Sequence, residues 1–408
     1  MVQGSLSARI SSAPSDPIFG IVEAFRADPR PEKINLAAGV YMEEDGITPI
    51  LASVREAERR LLASATTKLY KPIGGDPALV KLMRALIFRE PGAAFGTLPP
   101  VASGGRVEVL HTPGGTGAVR LAVELVSRLR PDATIWISDP TWPNHPQIAD
   151  AVGVPHQSHP WVTANVRELD IDAVLASIAN AAPGDAFIFH GACHNPTGID
   201  PTAEQWNLIA SAVASRGVLP ILDFAYQGLG DGLVEDAASL RSFLATGCEV
   251  LVAASASKNF ALYDERVGAL AIVAADPAAA AAIVTHAKVA IRAAWSNPPG
   301  HGGEIVAEIL GDDVLREQWE GEVKAMRERI NGNRRALVEA LAVAGAGDFS
   351  HLLTGRGMFS LLGLSDAQLA KLRDDHAIYL VARGRINFAG LSASKIPIVA
   401  EAVAALLR

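Results

Sequence analysis

Cysteine is nearly missing from this chain: of 408 residues only Cys193 and Cys248 carry a thiol. Two thiols cannot build a disulfide framework, and such sparing use suits a reducing compartment, so the cytoplasm is the expected location. Positive charge is also in deficit, with 36 Lys and Arg against 44 Asp and Glu and a net charge of -8. That balance gives no global attraction to nucleic acid or to an anionic membrane, and any anionic ligand must be held by local arginines. Long apolar runs are absent as well. The most lipid-like stretch, 267–295, is broken by Asp276, Pro277, His286, Lys288 and Arg292, which leaves no uncharged span of the roughly 18 residues a membrane helix needs. The first 15 residues have neither the charged start nor the apolar core of a secretory signal. No internal repeat is visible, and the longest low-complexity stretch is the Pro/Gly-rich patch 90–106, which reads as a surface loop.

What the chain has is bulk and apolar content. Its length suggests roughly two to three domains, and 49% apolar against 20% charged residues exclude a disordered or collagen-like chain. Short β-branched runs at 134–138, 186–190, 218–222, 250–254 and 267–273 alternate with helix-period segments at 117–130, 171–181 and 202–215. This pattern predicts an α/β fold with a mainly parallel sheet covered on both faces. After it come long amphipathic helices around 314–344, short segments at 358–362 and 378–381, and a terminal helix from about 396, which suit a smaller α+β domain.

In a parallel sheet, ligands bind beyond the carboxyl ends of the strands. The polar motifs of this chain fall in those places. Ser255-Ala256-Ser257-Lys258 follows one expected strand, and Arg266 comes eight residues after Lys258. Asp223-Phe224-Ala225-Tyr226 follows another, and His194-Asn195-Pro196-Thr197-Gly198 a third. A Gly-rich stretch, Pro113-Gly114-Gly115-Thr116-Gly117-Ala118, precedes a helix and can offer backbone N–H groups to an anion. Trp142 brings an aromatic face, and His145 can support a carboxylate. Taken singly these are commonplace: a helix cap, a packed Trp, a solvated Lys. Together they form the set that pyridoxal phosphate requires, namely a Schiff-base lysine, an acid for the ring nitrogen, donors for the phenolate and a cationic, hydroxyl-rich cradle for the phosphate. His190 and His194 are spaced like metal ligands only if helical; Gly191 and Pro196 put them at a strand-to-loop junction, so no metal is expected.

These motifs resemble the class I pyridoxal-phosphate aminotransferases, in particular the aspartate and aromatic amino acid subgroup. The resemblance runs from Ser15-Asp16-Pro17-Ile18 to Gly384-Arg385-Ile386-Asn387 and includes Ile34-Asn35-Leu36, Gly39-Val40-Tyr41, Trp142-Pro143-Asn144-His145, Arg292 and Ser296-Asn297-Pro298-Pro299. It implies a seven-stranded-type sheet of fold type I in a large domain, 49–324. A small domain of 16–48 and 325–408 and an arm at 1–15 would complete the protomer. It also implies a homodimer with shared active sites. By that similarity Lys258 bonds the cofactor aldehyde, Asp223 pairs with the pyridine nitrogen, Tyr226 and Asn195 bond the phenolate oxygen, and Trp142 stacks on the ring. Gly115, Thr116, Ser255, Ser257 and Arg266 would hold the phosphate, with Tyr70 reaching in from the partner. Arg385 would grip the substrate α-carboxylate, near Gly39, Asn195 and Trp142, and Arg292 of the partner would grip a side-chain carboxylate.

The substrate follows from departures within the resemblance. Met42 and Leu69 stand where aspartate-type members typically carry Lys and Asn, and Ala38 replaces a bulkier residue; these changes favour an aromatic side chain. Arg292 and Asn297 keep the dicarboxylate pattern. The expected activity is therefore transfer of an amino group from an aromatic or acidic L-amino acid to 2-oxoglutarate, with a strict aspartate aminotransferase as the second reading. A lyase or decarboxylase of the same fold would not require two carboxylate-binding arginines, and an effector domain of a transcription regulator would need a helix-turn-helix ahead of Ser15. Three more departures stand out: Arg383 where a small Ser is usual, Trp295 for a usual Tyr, and a longer segment between Tyr70 and Gly115. Arg383 is either a third cation near the carboxylate site or a solvated surface charge.

Overall fold

The computed structural model describes residues 17–408; the expected arm at 1–15 lies outside them. Strands run in chain order as β1 (Ile34–Asn35), β2 (Val107–Pro113), β3 (Ile135–Asp139), β4 (His156–Pro160), β5 (Ala186–His190) and β6 (Leu219–Phe224). They continue as β7 (Val250–Ser255), β8 (Val267–Val273), β9 (Phe359–Leu361), β10 (Ile378–Tyr379) and β11 (Arg385–Asn387).

Seven of them form one sheet in the order β2-β8-β7-β6-β5-β3-β4. Every pairing is parallel except those of β8, which runs antiparallel to both β2 and β7. Strands β5, β7 and β8 are buried along their whole length, which is why they read as unbroken apolar runs. Their alternation divides the interior in two. Phe187, Phe189, Leu222 and Val252 face one core; Ala186, Ile188, Ile221 and Leu251 face the other, as a two-residue period requires. Helices Gly114–Leu129, Ile171–Asn180 and Ala203–Arg216 cover the sheet. The last of these starts on a capping box, in which Thr202 and Gln205 satisfy each other's backbone N–H groups.

Two strands of the sheet were not expected. The edge strand β4 is His-Gln-Ser-His-Pro and mostly exposed, so it has no apolar signature; β2 carries Glu108 and His111 and follows the Gly/Pro-rich patch, which itself contains a helical turn at Pro100–Ser103. The Gly-rich stretch also differs from expectation: Gly114 to Thr116 form the first turn of the helix itself.

The smaller α+β part is built from the two ends of the chain. Strand β1 pairs in parallel with β10, and β9 pairs antiparallel with β11. Asn387 Nδ2 donates to the carbonyls of Ala38 and Val40 at 2.7 and 2.8 Å. One 31-residue helix, Asp313–Val343, ties this part to the sheet. Near its start Trp319 stacks on Phe260, with ring centres 4.2 Å apart, and donates to the Asn259 carbonyl at 2.8 Å; further along, Asn333 donates to the carbonyls of Phe388 and Leu391. Among the described residues no helix is long and apolar enough to cross a membrane.

Candidate active site

The carboxyl ends of β5, β6 and β7 and the first turn of helix Gly114–Leu129 line one pocket. Gly115, Thr116, Trp142, Asn195, Asp223, Tyr226, Ser255, Ser257, Lys258 and Arg266 all face it. Residues read as separate motifs thus converge as expected. His190 and Tyr263 also line the pocket, and neither was expected as a site residue.

Asp223 is buried, and its Oδ2 lies 3.1 Å from His145 Nε2, while His145 Nδ1 lies 2.8 Å from the Thr141 hydroxyl. If Thr141 donates to Nδ1, then Nε2 carries the proton and donates to Asp223. Burial alone would raise the Asp223 carboxyl, but the hydrogen bond from His145 and the nearby positive charge of Lys258 outweigh it and hold the group below the usual carboxylate range. Asp223 is therefore a fixed negative charge on the pocket floor. Behind it the imidazoles of His145, His190 and His194 pack in a row, with centres 5.0 and 4.4 Å apart. Ligand atoms of His145, His190 and Asp223 come within 4.8 Å of one another, and burial holds His190 and His194 well below their ordinary range, so both rings are neutral. His194 has both nitrogens engaged, by Ser138 at 3.1 Å and Thr197 at 2.9 Å.

Lys258 Nζ sits 5.2 Å from the centre of the Tyr226 ring. Burial depresses its ammonium from 10.5 to about 8; Asp223 opposes that shift and Arg266 adds to it. Asn195 Nδ2 donates to the Tyr226 hydroxyl at 3.2 Å, and burial beside Asp223 pushes the Tyr226 phenol up, so it stays a neutral donor.

An anion cradle closes one end of the pocket. The hydroxyls of Ser255 and Ser257 are 3.1 Å apart, and Arg266 Nη1 reaches Ser257 Oγ at 3.3 Å and the Tyr263 carbonyl at 3.0 Å. Gly114 has a φ of 73° and abuts the Arg266 guanidinium, where a Cβ would collide; a Cβ on Gly115 would lie 2.9 Å from Ser255 Cβ. The two glycines keep the free N–H groups of the helix start open to a ligand. Arg266 has no carboxylate partner among the described residues. An aldehyde-reactive amine, an acid on the floor, neutral donors on the flank and a cation with hydroxyls at the end fit pyridoxal phosphate.

Arg385, the first residue of β11, is 3% exposed. It donates to the Ala37 carbonyl at 2.6 Å and contacts Asn195 Oδ1 at 3.4 Å, and its guanidinium lies 4.4 Å from the centre of the Phe359 ring. Its Nε has no partner, and no acid pairs with it among the described residues. Burial lowers it to about 10, still cationic at neutral pH. A buried guanidinium without a counter-ion is expensive unless a ligand supplies one. Gly39 stands on the same edge, where an added Cβ would lie 3.4 Å from Phe359.

Tyr70 and Leu69 are 90% and 79% exposed and do not line this pocket. Arg292, in the last turn of helix Pro277–Ala294, is exposed and bonded to the Ser296 hydroxyl. Asn297 Nδ2 donates to the Lys71 carbonyl at 2.7 Å, so the segments carrying Tyr70 and Arg292 are joined on one surface. Tyr263 gave no signal in sequence; its hydroxyl accepts from the Tyr41 backbone N–H at 2.8 Å, linking the pocket to the small part.

The profile of the family described as Aminotransferase class I and II matches residues 31–403. An aspartate aminotransferase of Salmonella typhi is 45% identical over 98% of this chain and 99% of its own length. An aromatic-amino-acid aminotransferase of Pseudomonas aeruginosa is 44% identical over 97% and 98%. Among solved structures, an aromatic-amino-acid aminotransferase from Burkholderia pseudomallei, covalently bound to pyridoxal phosphate, superposes with a TM-score of 0.95 at 41% identity, covering 99% of this chain and 100% of that one.

Proposed function

We propose, for a chain that belongs to the class I and II aminotransferases and is a pyridoxal-phosphate-dependent transaminase, that its donors are both aromatic and acidic L-amino acids and its acceptor is 2-oxoglutarate. The observation that carries an amino-acid substrate is Arg385, a buried guanidinium with no acid partner among the described residues, beside Asn195 of the pocket that also holds the Lys258 amine. One anion with an α-amino group satisfies both.

Bound in the pocket, pyridoxal phosphate supplies an aldehyde and an electron-drawing ring. Lys258, Asp223 and Tyr226 are the catalytic residues. Lys258 would hold the cofactor through its aldehyde carbon and, as a free amine, would take the proton from the substrate α-carbon at Nζ. Asp223, held by His145, keeps a negative charge where a protonated pyridine nitrogen is wanted. Tyr226 and Asn195 would donate to the phenolate, and Trp142 would cover the ring. Gly115 and Thr116 N–H groups, Ser255, Ser257 and Arg266 would hold the phosphate, and Arg385 would orient the α-carboxylate in the two-point fashion that a lysine could not provide.

The same reading divides the chain into a small domain of 16–48 and 325–408 and a large domain of 49–324, in a cytoplasmic homodimer. The shared surface of Tyr70 and Arg292 favours it, because both would enter the partner's pocket. Arg292, tied only to a hydroxyl among the described residues, is free to pair with the side-chain carboxylate of aspartate or glutamate and to swing away from an aromatic ring; Met42 and Leu69, apolar where aspartate-type members carry polar residues, would favour that ring.

Purified holoenzyme mixed with single amino acids, and followed by the cofactor's absorbance, tests the reading. Arg292→Leu should lower kcat/KM for dicarboxylates by about a hundredfold or more while leaving aromatic donors unchanged or improved. If the wild type prefers aspartate more than about a hundredfold over every aromatic donor, a gap of ~3 kcal/mol, the strict aspartate reading replaces this one.

A further inference from the structure

Arg383 is two residues from Arg385, and Asp139, the last residue of β3, is three residues before Trp142. Their side chains face each other across a cleft of ≈ 790 Å³. One rim is Asp139 and the tight turn 163–166; the other is Gly363, Leu364 and Arg383. Both rims are held in uncommon backbone. Val166, Gly363 and Arg383 have φ values of 55°, 72° and 58°, and for a β-branched residue such as Val166 that conformation is costly and persists only where surrounding structure imposes it. Arg383 is pinned by its own carbonyl, which accepts from Gly363 N–H at 3.1 Å.

The charged pair that bridges this cleft is loose: Arg383 Nη2 stands 3.9 Å from Asp139 Oδ1. By contrast Arg356 and Asp231, elsewhere on the protein, meet at 2.6 Å. A charge-assisted hydrogen bond closes at about 2.8 Å, so the Arg383–Asp139 pair has about 1 Å still to travel. Its two anchors are the segments that carry the substrate-binding Arg385 and the ring-covering Trp142.

We propose that Arg383 and Asp139 are a positioning pair. Closing to hydrogen-bond contact, they draw the Arg385 edge onto the Trp142 edge and so set how firmly the substrate carboxylate is held. The inference rests on the reading that Arg385 binds that carboxylate. Neither residue touches substrate, so the pair acts on binding more than on chemistry. Arg383 is half-exposed and Asp139 more so, and an exposed pair of this kind is worth at most about a fivefold change in an equilibrium.

The test uses holoenzyme of the wild type, Arg383→Ser, Asp139→Asn and the reversed pair Arg383→Asp with Asp139→Arg. Each single change should raise KM for both amino donor and 2-oxo acid about two- to fivefold, with kcat changed less, and the reversed pair should recover most of the loss. Salt offers a measurement that needs no variant: raising ionic strength should increase the wild-type KM more than that of either single variant, because only the wild type has a pair to screen. Single variants that match an active wild type, or a reversed pair whose losses add, overturn the proposal. A wild-type holoenzyme that transfers no amino group overturns instead the function on which it rests.

Discussion

An ordinary lysine is neutral at pH 7 in only a few molecules per ten thousand. Burial brings Lys258 to about 8, so about one molecule in ten carries the free amine at pH 7, a gain of two to three hundredfold in the form that attacks an aldehyde. Asp223 works against this gain, since its charge favours the ammonium, and Arg266 works with it. Replacing Asp223 by Asn should therefore move the Lys258 midpoint down, by about a unit for one neighbouring charge. Replacing Arg266 by Gln should move it up. Competitive acetylation of the apoenzyme between pH 6 and 10.5, with peptide mapping of Lys258 against an added reference amine, reads the midpoint of this one residue. A wild-type midpoint at or above 10, or an upward move in Asp223→Asn, would refute the reasoning, because either result means that desolvation and the named charges do not govern the nucleophile.

Mixing Lys258→Ala protein with Arg292→Ala protein should restore dicarboxylate transamination through hybrid dimers, in which one site joins an intact Lys258 to the partner's intact Arg292; proven subunit exchange without recovered activity would place Arg292 outside the partner's site. His111, buried with neither ring nitrogen bonded, is lowered from 6.5 to about 4 by burial. Above pH 6.5 it is neutral in both states; below 6.5 the unfolded chain takes a proton that the folded chain refuses until about 4, so stability should fall with pH by about 1.4 kcal/mol per unit from this residue. Urea unfolding of His111→Leu between pH 6.5 and 5 should show a shallower fall than the wild type, and an equal slope would count against it.

The sheet and the cofactor pocket were legible because both depend on local signals. Strands β5 to β8 are buried on both faces and spell themselves as apolar runs, with Asp223 next to last in β6 and Asn195 and Lys258 a few residues beyond the ends of β5 and β7. Strand β4 was not legible, since an exposed edge places no demand for apolar residues. Strand β11 has three residues, too few for any period, and Arg385 was identified only through the family resemblance. Tyr263 owes its place to a hydrogen bond with a residue 222 positions away, and no window of sequence contains such a contact. His190 was visible and was set aside as a metal ligand, and nothing in its sequence neighbourhood marked it as part of the pocket wall.

The long-range contacts of Arg385 make the two halves of the pocket differ in age during synthesis. Lys258 and Arg266 lie on one short connection between neighbouring strands, β7 and β8, and the cradle they complete with Gly114 and Gly115 is finished well before the chain ends. Arg385 meets Asn195 across 190 positions and Ala37 across 348, so the grip on the substrate closes a loop that embraces nearly the whole polypeptide. Contacts of such separation wait on everything between them. A chain leaving the ribosome amino end first therefore has the parts to house its cofactor at a stage when it has no means yet of taking hold of an amino acid.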